Sequence, residues 1–293
     1  MRQLQPGWLL LFAFLLTSPA LSAGPWPPGK GKGYYKLYEW WIRFDEHYSS
    51  TGELDPNATI GLYNTTIFAT HGFSDRLTGV MNLPLFSRST INNQVSGTRG
   101  NIIVPGDEIN TIGDAELGIR YALSSPGAKW PVAVGLTLGL PLGEAAGGEL
   151  GNLQTGDGEF NQLIYAETGT SVQLSKSTQL YSSVMLGVNN RSGGFSDEFR
   201  YGMDVGVGLS GSKLWIIGRL QGSESFFNGE TAETTTSTSI FSNNAEYLSL
   251  GGEINYYLTD RLGLSAGAAT AISGRIIAAA PAFSLGIFID TTR

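Results

Sequence analysis

Few residues in this chain have types and spacings that could do chemistry. Gly263-Leu264-Ser265-Ala266-Gly267 matches the G-x-S-x-G pattern that presents a nucleophilic serine at a strand-to-helix turn. Such a serine needs an acid and a histidine downstream, whereas both histidines, His47 and His71, precede it. The pentapeptide also lies in a Gly/Ala-rich run that reads as strand, so no catalytic residue is expected there. Thr155-Gly156-Asp157-Gly158-Glu159 is an acidic turn attractive to calcium, but it lacks the ligand spacing of an EF-hand loop. A surface turn is expected, with no metal and no cofactor. Cysteine is absent, which removes a lipoprotein anchor, a disulfide framework and a thiolate metal site. The remaining chemistry lies in charges that share strand faces: Glu39, Arg43 and Asp45; Glu116 and Arg120; Arg200 and Asp204; Arg219 with Gln221; Glu253 with Asn255.

Positioning these groups is the task of period-two segments. From Trp130 to Pro141, Trp130, Val132, Val134, Leu136, Leu138 and Leu140 alternate with Pro131, Ala133, Gly135, Thr137, Gly139 and Pro141. Leu117, Ile119 and Tyr121 oppose Glu116, Gly118 and Arg120 in the same way. Phe199 to Leu209 sets Tyr201, Met203, Val205 and Val207 against Arg200, Gly202, Asp204 and Gly206. Strict alternation is the strand signal. It predicts twelve strands near 34–45, 58–71, 76–88, 114–124, 130–141, 160–173, 178–190, 198–210, 213–227, 245–258, 261–273 and 280–290. An arginine on the lipid side would cost roughly 2–4 kcal/mol at the bilayer midplane. The charged faces are therefore expected to turn inward, which makes Glu39, Arg43, Glu116, Arg120, Arg200, Asp204, Arg219 and Glu253 the candidate lumen and selectivity residues. Opposite signs on those faces equally fit an internal ion-pair network, since buried charges are normally paired.

The connections carry independent information. Gly72-Phe73-Ser74-Asp75, 125–129, Ser175-Lys176-Ser177, Gly211-Ser212 and Thr259-Asp260 are short. Longer connections at 46–57, 89–113, 142–159, 191–197, 228–244 and 274–279 fall between them. Outer-membrane barrels have short periplasmic turns and long external loops. That rhythm puts His47 and His71 on opposite sides of the membrane and disfavours a soluble β-sandwich. Only 15% of residues are charged, there are 40 glycines, and mean hydropathy is −0.01. Typical soluble domains carry roughly 25% charged residues. Net charge is −7 with no block of Lys or Arg, so nucleic acid is not an expected partner.

Arg2, the apolar stretch Trp8–Leu16 and the small residues Ser18 to Ala23 read as a signal peptide over 1–23. Residues 24–33, rich in Gly and Pro, form a lead-in or a small plug, and 34–293 form the barrel. Thr231 to Ser239 is a low-complexity stretch in an external loop.

Several short motifs occur in order along the chain: Gly33-Tyr34-Tyr35-Lys36-Leu37 followed by Glu39-Trp40-Trp41; Phe73-Ser74-Asp75-Arg76-Leu77; Ile112-Gly113-Asp114; Pro141-Leu142-Gly143; and Leu153-Gln154-Thr155-Gly156-Asp157-Gly158. From about Gly31 to Asp290 the sequence thereby resembles the outer-membrane transporters grouped as the "MetA-pathway of phenol degradation" family, distant relatives of long-chain fatty-acid transporter barrels. The resemblance implies movement of small hydrophobic or aromatic molecules across an outer membrane. It carries over no catalytic or binding residue.

The expected protein is therefore all-β, a transmembrane antiparallel β-barrel of about twelve strands with short periplasmic turns and long external loops. It is expected in the bacterial outer membrane after signal-peptide export, as a channel or transporter for small solutes and not an enzyme. The expected partners are outer-membrane lipid, the outer-membrane assembly machinery and a small-molecule solute. The competing expectation is a non-transporting barrel that serves as a structural or loop-displaying scaffold.

Overall fold

The computed structural model describes residues 24–230 and 240–293. The expected signal peptide and the Thr/Ser-rich stretch 231–239 lie outside the described residues. The alternating segments form twelve long strands: β1 (Gly33–Tyr48), β2 (Leu54–Gly72), β3 (Leu77–Ile91), β4 (Ala115–Ala122), β5 (Val132–Leu140), β6 (Asn161–Ser175), β7 (Thr178–Arg191), β8 (Glu198–Leu209), β9 (Leu214–Ser225), β10 (Glu246–Tyr257), β11 (Leu262–Arg275) and β12 (Ala282–Asp290). Each pairs antiparallel with its sequence neighbours. The sheet closes because Leu37 of β1 faces both Ile67 of β2 and Ile287 of β12. Closure removes the free edges that an open sheet of this length would expose.

Every strand expected from alternation is present, with shifted ends. β1 and β2 extend toward each other and leave only 49–53 of the loop expected at 46–57. The stretch 89–113 is partly strand as well. Asp107–Thr111 pairs with the end of β3, and Gln94–Val95 pairs with Ile102–Val104 in a separate hairpin. Ile277–Ala278 extends the wall by pairing with His47 and Tyr48. Short turns and both described chain ends lie at one end of the barrel, called here the turn end. The longer connections gather at the loop end.

The two faces of the wall differ. Leu117, Ile119, Val134, Ile164, Leu186, Val205, Ile254 and Ile287 point outward and are exposed. A continuous apolar belt around a closed barrel is a lipid-facing surface. The inward face is divided. Tyr38, Trp40, Ile42 and Phe44 of β1 pack with Ile60, Leu62 and Phe68 of β2 and Val80 of β3 into a buried apolar cluster, and Ile240, Phe241 and Ala280 fold against it from the loops. Inward positions of β4 to β10 are mostly polar, charged or small, among them Arg120, Glu167, Asn189, Asp204 and Glu253, with Leu163 and Ile217 as buried apolar members.

Residues 24–32 do not trail into solvent. Gly31 N–H donates to Gly72 O and Gly72 N–H returns a bond to Lys32 O, each at 2.8 Å. From there the segment crosses the turn end of the lumen. Pro25 is fully buried, and the Trp26 ring meets Tyr181 edge-on with centroids 6.0 Å apart.

Candidate functional site: the barrel lumen

Two charged layers cross the turn half of the lumen. Lys36 of β1 reaches Glu253 of β10 at 3.1 Å, and Arg219 of β9 bridges Glu253 at 3.2 Å and Asp204 of β8 at 3.3 Å. The strands between β10 and β1 present Ser265, Gly267, Ser284 and Gly286 inward, so the lysine stem has room to cross. Across the barrel, Arg120 of β4 pairs with Glu167 of β6 at 3.1 Å, and both side chains are about 2% exposed or less. Register sets Arg120, Gly135 and Tyr165 in one row. Gly135 is required there because a Cβ would sit 2.2 Å from the Tyr165 ring.

The loop half contains a cavity of about 300 Å³. One side is apolar: Trp40, Ile42, Ile240, Phe241, Ile277 and Ala278. The facing side is charged: Glu116, Asp157, Glu159, Arg191, Glu198 and Arg200. Arg191 holds three carboxylates at once, Asp157 at 2.9 Å and Glu159 and Glu198 at 2.7 Å. Its guanidinium also stacks over Phe195, 4.4 Å from the ring centroid. Arg200 pairs with Glu198 at 2.7 Å and stays about one-third exposed to the cavity. Glu116 accepts a long bond from Asn82 at 3.5 Å. Trp40 Nε1–H is buried without an acceptor among the described residues.

The rim of this cavity is built by three of the short sequence motifs. The Asp114 carboxylate accepts from Gly143 N–H through Oδ1 and from Asp157 N–H through Oδ2, both at 2.8 Å. Thr155 Oγ1 donates to Ile112 O at 3.0 Å and accepts from Glu144 N–H at 2.9 Å. Gly156 is needed because a Cβ would lie 2.1 Å from the Asp114 carboxylate. Burial pushes the Asp157 carboxyl up to about 6, more strongly than Arg191 pulls it down, and Asp114 adds to the rise. Burial likewise raises Asp114 and Glu159. The acidic turn that resembled a calcium loop is thus tied down by Arg191, and no cluster suited to a metal ion exists among the described residues.

Of the candidates read from sequence, Glu116, Arg120, Arg200, Asp204, Arg219 and Glu253 point inward. Their partners are not the residues grouped with them in sequence: Arg120 goes to Glu167 of β6, Asp204 to Arg219 of β9, and Arg200 to Glu198, two residues before it on β8. Glu39 and Arg43 require correction, because both lie on the outer wall with Asp45. The inward positions of β1 are taken by Tyr38, Trp40, Ile42 and Phe44, whose burial against β2 and β3 outweighs turning the charges in. Glu39 is accommodated outside by a 2.6 Å bond donated by Thr65 Oγ1. Sequence reasoning missed Lys36, Glu167, Arg191 and Glu198. Lys36 and Glu167 alternate in phase with large apolar neighbours, while Arg191 and Glu198 sit at strand ends, where periodicity gives no face. His47 and His71 lie at opposite ends of the barrel, with His71 Nδ1 2.7 Å from Tyr35 Oη. Ser265 is a regular ladder position of β11, paired with Asn255 on one side and Gly286 on the other, not the strand-to-helix turn a nucleophile would need.

The fold defines a closed, twelve-stranded, antiparallel transmembrane barrel with a two-sided lumen. Among solved structures, the COG4313 outer membrane channel from Pseudomonas putida F1 is similar, with a TM-score of 0.53 and 12% identity over 98% of this chain and 99% of that one. The NanC porin (TM-score 0.49, 9% identity, 87% of this chain and 99% of that one) and the KdgM porin (0.47, 7%, 87% and 98%) are also similar. At these identities the likeness is one of fold. No protein-family model matches the chain, and no curated protein matches it in sequence.

Proposed function

We propose that this protein is an outer-membrane channel for small amphipathic solutes with an aromatic or other apolar body and a polar head. The observation that carries this reading is the division of the loop-half cavity into an apolar wall and a charged wall. A flat apolar body placed on Trp40, Ile42 and Phe241 would leave its polar head facing Arg200 and Glu116. Trp40 Nε1–H offers a buried donor with no acceptor among the described residues, and satisfying such a group rewards the solute that can do so. The family resemblance in the motifs supports an aromatic solute, and the likeness in fold to outer-membrane channels supports the location. In this reading the loop end is external, and the export signal is residues 1–23.

One observation favours a scaffold instead. The Lys36–Glu253–Arg219–Asp204 and Arg120–Glu167 layers cross the lumen, and Trp26 covers its turn end. Single-channel recording in planar bilayers separates the two readings, with Arg200→Glu as the charge reversal. Arg200 is the arginine of choice because it lines the cavity with part of its charge exposed. A passage through the lumen gives discrete openings whose reversal potential in asymmetric KCl moves toward cation preference in the variant. It also gives block by an added aromatic carboxylate or phenol that weakens with Trp40→Phe. Silence from folded protein, together with no uptake of a labelled aromatic into liposomes, refutes passage and leaves the scaffold.

A further inference from the structure

On the outer wall, the rows of β1, β2 and β3 change character toward the loop end. Register aligns Leu37 with Ile67 and Leu83, an apolar row, and then Glu39 with Thr65 and Phe86. Trp41, Tyr63 and Arg88 follow, and then Arg43, Gly61 and Thr90. Between the two arginines opens an outward-facing cleft of about 490 Å³ whose walls include Gly61, Tyr63 and Thr90. Gly61 keeps the floor low, since a Cβ there would approach Thr90 Oγ1 to 2.7 Å and the Tyr63 ring to 2.9 Å.

The charges in this cleft are unequally committed. Asp107 and Glu108 line its far edge, but Asp107 accepts backbone N–H groups from Glu108 and Glu149, and Glu108 pairs with Arg88. Arg88 keeps 45% of its side chain exposed. Arg43 is exposed and has no carboxylate or hydrogen-bond partner among the described residues. The uncommitted charge is therefore a guanidinium, directly above aromatic rings and an apolar slope. Aromatic rings prefer the headgroup level of a membrane, and guanidinium is the group best shaped to grip a phosphate.

We infer that this cleft binds the phosphate of a membrane lipid in the loop-end leaflet, with its acyl chains lying down the Leu37–Ile67–Leu83 rows. The inference rests on the membrane-spanning reading of the fold and does not depend on passage through the lumen.

The test is native mass spectrometry of the detergent-folded protein with a bis-phosphorylated lipid A, with the same lipid fully dephosphorylated, and with inorganic phosphate as competitor. Folding of each variant is verified by its heat-modifiable gel shift. The phosphorylated lipid is expected to bind at least about tenfold better than the dephosphorylated one. Arg43→Ala is expected to lose about tenfold in that affinity, and Arg43→Lys to keep most of it as a point charge. Equal binding of the two lipids, or unchanged binding in folded Arg43→Ala, would overturn the inference. Complete displacement by millimolar inorganic phosphate would also overturn it, because the site would then be one for a free anion.

Discussion

Arg191→Ala is the perturbation whose consequences the structure defines best. The wild-type guanidinium is 5% exposed and touches Asp157, Glu159 and Glu198 within 2.9 Å. Removing one partner of a buried ion pair costs about 3–5 kcal/mol, because an uncompensated charge stays behind. Here three carboxylates are left together, but Asp157 is 16% exposed at a cavity rim, so water recovers part of the loss. A net cost of about 2–3 kcal/mol follows, which converts to roughly 30- to 150-fold more frequent opening of the loop. Because the closed sheet holds the strands, that opening is confined to 141–160. The assay is limited proteolysis of the folded barrel, with cleavage within 144–158 followed by mass spectrometry. Cleavage should accelerate by that factor while the heat-modifiable band persists. Arg191→Lys should recover only part, since one ammonium cannot replace a planar fork serving three acceptors. Asp157→Asn added to Arg191→Ala should slow cleavage again, which is the non-additivity expected of a shared network. Equal cleavage rates in wild type and Arg191→Ala, or strict additivity in the double variant, would refute the reading of Arg191 as the latch that holds this loop to the barrel.

Other expectations follow from the same geometry. The carboxyls of Asp157, Asp114 and Glu159 are all raised by burial, so the latched loop binds more protons than the open one. The latch should therefore strengthen as pH falls from about 6 toward the ordinary carboxylate range and weaken as pH rises through that window. Cleavage of 144–158 should be slower at pH 5 than at pH 7, with the difference reduced in Asp157→Asn. Gly135→Ala places a methyl 2.2 Å from the Tyr165 ring and should destabilise the barrel by about 1–3 kcal/mol, read as a lower temperature for loss of the folded gel band. Trp26→Ala removes the edge-on contact with Tyr181 and should raise single-channel conductance at unchanged barrel stability. An unchanged conductance would show that the N-terminal segment does not limit the lumen.

The fold was legible because closing a sheet between lipid and a polar interior forces period two on most strands. Phe199 to Leu209 places each residue on the face its alternation indicates. The strand ends were less legible, since the last residues of β1 and the first of β2 run beyond the apolar belt and lose their alternation. β1 shows where the rule itself fails. Both of its faces carry aromatics and charges, so the sequence does not state which set is buried. The answer depended on Ile60, Leu62, Phe68 and Val80, which come from other strands. The ion-pair partners were illegible for the same reason: Lys36 and Glu253 are 217 residues apart and meet only across the lumen. The rim was half legible. Its three motifs stood out as short signatures, but nothing in their sequence said that they converge.

That convergence has a mechanical consequence. Because Asp114 sits at the top of β4 and clamps segments following β5 and preceding β6 through one carboxylate, the three cannot move independently. Pulling on any one of them loads the same hydrogen bonds. The rim of the cavity should therefore yield in a single step at a threshold force, as a clasp does, instead of softening loop by loop.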